Sequence, residues 1–479
     1  MPAPNPSLPP LPRRDFLKNI LAAGAATAIA PQLLLAANKT TKPKPPANKR
    51  PGEKIKLACV GIGGRGGVIL KQFLDTGLAN IVALCDTDIG APHTQASLKK
   101  LPGVPRFQDF RKMLDKMAGQ IEALVIATPD HAHFPIAMHA MSLGKHVYVE
   151  KPMAHSFLQI ELMMAAEKKY NLVTQMGNQG HSEGNYFQFK AWVDAGIIKN
   201  VTAITAHMNS TRRGVDTPKF SYSKLTAYLP AQPIPATLDW DTWLATALER
   251  AYNKGYTLGD WRSWYAFGNG TLGDFGAHIF DTAHQFLALG LPVEIAPLKI
   301  EGHNPLVFPQ ATTLAFRFPK RGTQPPLTLT WYEGHNNPPP LPPEMPATTN
   351  DGEPVRLSPG KFIFAENLTF KGDSHGSTLR IIPPEKARAM APRLPAVPKS
   401  PSNHFENFLL ACQQREKTRS PFSIAGPLCQ VMALGVLAQR LNAKLTFDPA
   451  AKQITNNKLA NEMLSGVPPR KGWEQYYKL

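Results

Sequence analysis

A carboxylate and an imidazole stand four residues apart in Gly270-Thr271-Leu272-Gly273-Asp274-Phe275-Gly276-Ala277-His278. On a helix that spacing puts both side chains on one face. Behind a glycine-rich turn such a pair can share a hydrogen bond, Asp274 fixing the imidazole tautomer of His278 and raising its basicity for acid/base work. The bland alternative is an Asp near a helix start and a solvated His. Just upstream, Trp261-Arg262-Ser263-Trp264-Tyr265-Ala266-Phe267 is dense in rings with one guanidinium among them. Sugars stack on such faces, which makes Arg262, Trp264 and Tyr265 candidate substrate contacts, although tryptophans fill cores as readily.

A second constellation has the chemistry of phosphate binding. The apolar run 55–60 leads straight into Gly61-Ile62-Gly63-Gly64-Arg65-Gly66 and then into a helical segment. Gly61 permits the tight turn, Gly63 lets backbone N–H groups approach a pyrophosphate, and Gly66 lets helix and strand pack closely, with the helix N-terminus facing the phosphate charge. The next apolar strand, 81–85, ends at Asp86, placed to accept from the adenosine ribose hydroxyls. A carboxylate there favours NAD over NADP, because it repels a 2′-phosphate, for which Arg65 compensates only in part.

These groups need a sheet to hold them. Strand 123–127 runs into Thr128-Pro129-Asp130-His131-Ala132-His133, a helix follows, and His146-Val147-Tyr148-Val149 leads to Glu150-Lys151-Pro152. The βαβ rhythm puts Thr128, Pro129, Glu150 and Lys151 on the carboxyl edge of a parallel sheet, where a dinucleotide lies. His131 and His133 have no third ligand at metal spacing, so they are expected at the cofactor edge or in a helix cap, and no metal is expected. From about 200 to 385 the pattern changes to strands such as 201–207, 312–318 and 327–331, which fit an open, mostly antiparallel sheet. The predicted class is therefore α/β: an N-terminal Rossmann doubly wound parallel sheet plus a C-terminal α+β domain.

With 479 residues and 43% hydrophobic content the chain can bury two cores. Its boundaries are expected at 1–37 for an export signal, 38–54 for a Pro/Lys-rich linker, 55–175 for the nucleotide domain and 176–400 for the substrate and oligomerisation domain. Helices at 404–414 and 425–441, within 401–445, should pack back on the first domain, and 446–479 is expected as a tail. The loop 335–357, with its Pro338–Pro343 run, reads as stiff surface chain over the site or a neighbouring subunit. Much of the +18 net charge lies in the first 56 residues, and no nucleic-acid motif accompanies it, so no nucleic-acid partner is expected. Cys59, Cys85, Cys412 and Cys429 read as buried hydrophobes. Outside the leader no stretch is expected to span a membrane, which takes ~20 apolar residues.

At Glu150-Lys151-Pro152, following the glycine turn and the Ala-Thr-Pro-x-His-x-His loop, the chain resembles the glucose-fructose oxidoreductase and inositol dehydrogenase family (Gfo/Idh/MocA). The Asp274/His278 helix is its second landmark. The resemblance implies a catalytic trio of Lys151, Asp274 and His278, nicotinamide contacts from Asn178 and Gln179, a sugar or polyol substrate, and a homo-oligomer formed through the C-terminal sheet. It covers most of residues 55–445. Arg13-Arg14-Asp15-Phe16-Leu17-Lys18, with the uncharged stretch 20–37, resembles a twin-arginine signal. That resemblance implies the twin-arginine export machinery as a partner, a periplasmic or secreted location, and no stable membrane anchor. The implied reaction has His278 take a hydroxyl proton while the carbon passes hydride to nicotinamide and Lys151 steadies the alkoxide, with the base assignment open between Lys151 and His278. Two alternatives stand beside it. One is a glycosidase that retains NAD and oxidises its sugar transiently, although the Tyr-Pro-Thr-His type motif of one such group is absent. The other is a non-catalytic sugar-binding protein on the same fold.

Overall fold

The first sheet places β1 (Ile55–Val60) at its centre, flanked by β2 (Ala79–Cys85) and β4 (Ala123–Ile126). The structure is a computed structural model that describes residues 52–479 except 215, 218 and 219. The export signal expected at 1–37 and residues 38–51 of the linker lie outside the described residues. With β3 (Arg106–Phe107), β5 (His146–Val149) and β6 (Thr174–Met176), the strand order is β3-β2-β1-β4-β5-β6, all parallel. Helices cover both faces, which is why β4 and β5 read as unbroken apolar runs and are buried at every position. The order reverses between β1 and β4, and a crevice opens there at the carboxyl ends of the strands. Cys59 and Cys85 belong to two separate apolar clusters, so these neighbouring-strand cysteines are buried and free.

The second sheet has nine strands. Its middle is β7 (Ala203–Met208), β10 (Leu327–Gly334), β9 (Ala311–Phe318) and β8 (Glu294–Glu301), with β11 (Gly360–Phe364), β12 (Thr369–Asp373) and β13 (Arg380–Ile382) beyond β7. On the far side β14 (Leu445–Asp448) and β15 (Gln453–Ile454) extend it from β8. Only β7 and β10 run parallel; the other pairs are antiparallel. The paired residues Trp331 and Leu314, and Leu329 and Phe316, share one face and are fully buried. Burying each such side chain stabilises the fold by roughly 1.5–3 kcal/mol.

One helix ties the halves together. Phe422–Leu441 packs on helix Phe157–Tyr170 of the nucleotide domain, on β8, and on the turn Leu272–Gly276. Gly435 permits the close approach: a Cβ there would sit 2.5 Å from a Leu272 methyl and 2.7 Å from the Phe316 ring. Contrary to the sequence expectation, this helix is long and apolar enough to cross a membrane, yet 78% of its apolar window is buried inside the protein. It is apolar all round because it is surrounded by two domains. Helix His404–Cys412 packs on helix Arg65–Asp75, with Phe405 5.1 Å from Phe73.

One further expectation is corrected and another narrowed. Residues 446–479 form no loose tail: β14 and β15 join the sheet, and Trp473 and Tyr476 are buried against Phe110 of the nucleotide domain. Arg470 pins this segment by donating to the Asp241 carboxylate and the Ala245 carbonyl. The proline-rich loop lies against the second sheet, where Asn337 donates to the Thr312 carbonyl and Glu344 accepts from the Thr369 hydroxyl. None of residues 335–357 lines the crevice.

Candidate active site

Backbone geometry shapes the nucleotide end of the crevice. Gly61 has φ +79°, and a Cβ on it would lie 2.6 Å from the Ala127 carbonyl oxygen; one on Gly66 would lie 2.0 Å from that of Gly61. Strand, turn and helix therefore touch backbone to backbone, which no other residue type permits. Gly63, Gly64 and Arg65 line the open side of the turn, where space is free around Gly64. Asp86 stands at the end of β2 on the same wall, one carboxylate oxygen accepting from the Ile62 N–H at 2.9 Å and the other from the Asp88 N–H at 3.1 Å. Thr128 and Pro129 complete the wall after β4, and the whole cavity encloses about 720 Å³. This cradle fits a dinucleotide: a glycine turn open at Gly64, with the His93 ring against Gly63, a helix N-terminus behind it, and a fixed carboxylate at the ribose position.

After β5, Glu150 is buried, and burial raises its pKa against the pull of Arg65, 3.7 Å away. Gln179 donates to both Glu150 and the Tyr148 hydroxyl at 3.2 Å, and so reaches the wall. Asn178 is fully buried and off the wall, its amide oxygen and nitrogen both without a hydrogen bond. The two histidines expected at the cofactor edge also lie behind the wall. His133 spans the carbonyls of Thr128 and Pro152, both at 2.9 Å, and so braces the two loops that carry Thr128 and Lys151. His131 bonds the Trp243 carbonyl at 2.8 Å, and burial lowers its pKa to about 3. They sit in the first turn of helix Asp130–Ser142, so of the two expected positions, cofactor edge or helix cap, the structure places them at the helix start, enclosed by the aromatic segment.

At the other end, Asp274 rides on a π-helical turn, Leu272–Gly276, a geometry that recurs at functional sites. Lys151 donates to its carboxylate and, at 2.9 Å, to its carbonyl. Arg212 donates to the other carboxylate oxygen, and Arg262 lies 3.7 Å from it. Burial opposes ionisation of Asp274, but Lys151 and then the two arginines outweigh it and hold its pKa below the usual carboxylate range. His278 shares this wall, but it makes no hydrogen bond to Asp274: its Nδ1 is buried and unpartnered. The expected Asp–His pair is thus replaced by an Asp274–Lys151 pair, because the ammonium and the guanidinium claim both carboxylate oxygens. Burial, then the charges of Lys151 and His375, drive the His278 pKa well below its ordinary value.

The aromatic run is sorted by the fold. Trp264 is fully buried, its indole N–H donating to the Gly255 carbonyl at 2.9 Å, and Tyr265 packs on Phe308 at 4.0 Å. Neither reaches the crevice, so both are core residues and not sugar contacts. Phe110, Trp243, Trp261 and Phe275 line the wall, and two of these rings carry a guanidinium: Arg262 over Trp261 at 4.1 Å and Arg212 over Phe275 at 4.7 Å. Sequence reasoning missed Arg212, which follows β7, and His375, from the β12–β13 turn; Asp130, Glu183, Phe275 and His375 line the same wall. No local spacing announces Arg212 or His375, since tertiary folding alone brings them in. Among the described residues no group of three or more His, Cys, Asp or Glu is placed to hold a metal.

Comparison with known proteins agrees with this geometry. Residues 55–178 match the model of the Gfo/Idh/MocA oxidoreductase family's NAD-binding Rossmann fold, and residues 187–314 match that of the family's C-terminal alpha/beta domain. Among curated proteins, a Glycosyl hydrolase family 109 protein of Shewanella baltica is 33% identical over 159 residues, 30% of this chain and 34% of that protein. An alpha-N-acetylgalactosaminidase of Shewanella oneidensis is 32% identical over the same length. The chain thus matches about a third of the length of these relatives. Solved structures share the fold: the WlbA dehydrogenase from Chromobacterium violaceum in complex with NADH and UDP-GlcNAcA has a TM-score of 0.54 at 13% identity, covering 85% of this chain and 98% of that one. The aldose-aldose oxidoreductase from Caulobacter crescentus complexed with glycerol has a TM-score of 0.51 at 14% identity, covering 82% of this chain and 100% of that one. With an NAD-binding Rossmann domain and its partner alpha/beta domain both matched, over a little more than half its length, the chain belongs to the Gfo/Idh/MocA oxidoreductase family.

Proposed function

We propose that this protein is an NAD-dependent enzyme whose redox step oxidises or reduces a carbinol of a sugar, polyol or sugar derivative. The observation that carries the reading is the meeting of Lys151, Asp274 and His278 on the wall of the crevice that also holds the glycine turn and Asp86. Nicotinamide, when bound, supplies the hydride acceptor or donor. The chain supplies the proton chemistry. His278 stays neutral at ordinary pH, because burial and the Lys151 charge oppose its protonation; this leaves a ring nitrogen free to accept from the hydroxyl and makes it a weak base whose proton uptake is coupled to hydride departure. Lys151, anchored on Asp274, presents its ammonium to the developing alkoxide. Asp274 stays ionised and positions Lys151 and Arg212.

The names of the curated relatives favour a second reading of the same redox step, in which transient sugar oxidation drives loss of a glycosidic group and the cofactor is restored within each turnover. Export agrees with it. Arg13-Arg14 and the apolar stretch behind them support passage by the twin-arginine route to the periplasm or beyond, where fresh NAD has no evident supply. Self-association through the open sheet belongs to the same proposal.

The test is absorbance near 340 nm of purified protein while free sugars and aryl glycosides are added. NADH that accumulates with a free sugar establishes a dehydrogenase. Aglycone release without net NADH, by protein that keeps its cofactor through purification, establishes the glycosidase. Protein that binds no nicotinamide overturns both.

A further inference from the structure

The substrate end of the crevice carries more positive charge than its own residues neutralise. Lys151, Arg212 and Arg262 all lie within 4 Å of one carboxylate, that of Asp274. Its two oxygens are taken by Lys151 and Arg212. Arg262, at 3.7 Å, is an ion-pair neighbour whose guanidinium has no hydrogen-bond acceptor among the described residues, and Arg212 uses only its Nε, which leaves both terminal nitrogens of its fork free. The nearby carboxylates do not close the gap. Asp130 is on the same wall and within the electrostatic reach of Arg262, but burial raises its pKa to about 7, which leaves it only part of a charge at neutral pH, and its bonds go to the backbone N–H and side-chain amide of Asn269; Glu183 makes no ion pair with any of the three cations.

Both guanidiniums are also held in shape. The Arg262 guanidinium carbon lies 4.1 Å from the centre of the Trp261 ring and that of Arg212 4.7 Å from the centre of Phe275, so each cation is held between an aromatic ring and the Asp274 carboxylate. The Arg212 backbone is tied down as well: its N–H donates to the Thr271 hydroxyl at 2.8 Å, and its carbonyl accepts from Ser263 at 3.2 Å. A planar fork of this kind matches the two oxygens of a carboxylate or phosphate, which a neutral sugar hydroxyl does not. Stacking leaves the side chains 41% and 31% exposed to the crevice, open to a ligand.

We propose that the sugar substrate is anionic, bearing a carboxylate or a phosphate ester that the free forks of Arg212 and Arg262 grip while Lys151 faces the reacting carbinol. The proposal rests on the sugar-oxidising reading above and names its substrate class.

The experiment is calorimetric titration of the full chain, first with NAD and then, once loaded, with matched sugars: glucose with glucuronate and glucose 6-phosphate, galactose with galacturonate. Uptake of NAD is read separately, so its absence overturns the enzymatic reading without bearing on the charge preference. The expected result is at least tenfold tighter binding of an anionic sugar than of its neutral parent, weakening as salt is raised. Arg262→Gln should abolish the preference and leave NAD affinity unchanged, and Arg262→Lys should retain part of it, which guards against a folding defect in the first variant. Preference for the uronates or for the phosphate ester identifies the anion. Binding of neutral parents as tight as that of every anionic sugar, binding of no anionic sugar, or equal loss of NAD affinity in Arg262→Gln each overturn the proposal.

Discussion

The imidazole of His278 lies nearly parallel to that of His375, with ring centres 4.3 Å apart and planes 20° apart. One ring comes from the helical turn that carries Asp274, the other from the β12–β13 turn of the second sheet, so both halves of the C-terminal domain meet at the position assigned to the base. A second imidazole at that distance penalises protonation of the first. Burial lowers the His375 pKa too, with the Lys151 charge adding to it.

The pH profile follows from that stack. His278 works as a base only when neutral, and its pKa is depressed, so kcat/KM should hold level as pH falls through 6.5, the ordinary histidine value, and drop only at more acid pH. His375→Gln removes the neighbouring charge and should move the acid limb toward higher pH. A wild-type limb at or above 6.5 would show that another group sets it.

Lys151→Met should lower kcat by about 10²–10³-fold, the usual loss when one oxyanion donor is removed. Arg212 still pairs with Asp274 in that variant, so the fold should persist. Steady-state kinetics beside a circular dichroism melt separates the two effects.

Trp261 and Trp264 should differ in their effect on sugar binding. Trp264→Ala empties a fully buried site and should cost about 3–5 kcal/mol of stability. Trp261, 8% exposed, also loses packing on Trp261→Ala, but this variant strips the ring from beneath Arg262 and should raise the sugar KM, which Trp264→Ala should leave unchanged in the protein that stays folded. If the two variants show the same pattern, the division of this run into wall and core is wrong.

Glu333 offers a pH-dependent stability test far from catalysis. It is buried beside Trp331 and Gln439, which donate to it, and burial raises its pKa from 4.5 to about 7. A carboxyl whose folded pKa is raised costs nothing below pH 4.5, and stability is lost as pH climbs from 4.5 through 7. Glu333→Gln carries no such cost, and the unbonded carbonyl oxygen of Gln439 can turn to accept from it. The variant should match the wild type near pH 4.5 and exceed it by up to about 3 kcal/mol at pH 8, measured by urea unfolding at both pH values.

Gly66→Ala should unseat the nucleotide turn, because the added carbon would lie 2.0 Å from the Gly61 carbonyl oxygen. Backbone has no rotamer with which to retreat. Loss of NADH binding, read by fluorescence titration, should exceed any loss of sugar binding.

Legibility in the sequence tracked how local each feature is. The strands around the glycine turn were readable because a strand buried on both faces is apolar at every position, and the turn because Gly61 and Gly66 admit no Cβ. The positions of Lys151, Asp274 and His278 were readable, but not their bonding, since Arg212 arrives from 62 residues away to compete for Asp274. Alternating rings in 261–267 do not say which side of the chain meets solvent; that is decided by Tyr256 and Phe308, which enclose Trp264 and Tyr265. Helix Phe422–Leu441 has the composition of a membrane segment because an interior between two domains selects the same residues.

That helix also orders events in the life of the chain. The turn bearing Asp274 leans on Leu272, and Leu272 leans on Gly435, more than 160 positions later in synthesis. A ribosome that has released the whole glycine turn and even Lys151, Asp274 and His278 has therefore not yet made the support that holds them in register. Truncation anywhere between residues 279 and 434 leaves Lys151, Asp274 and His278 all present and their support missing, so a nascent or prematurely stopped chain carries the reactive groups without the assembled site.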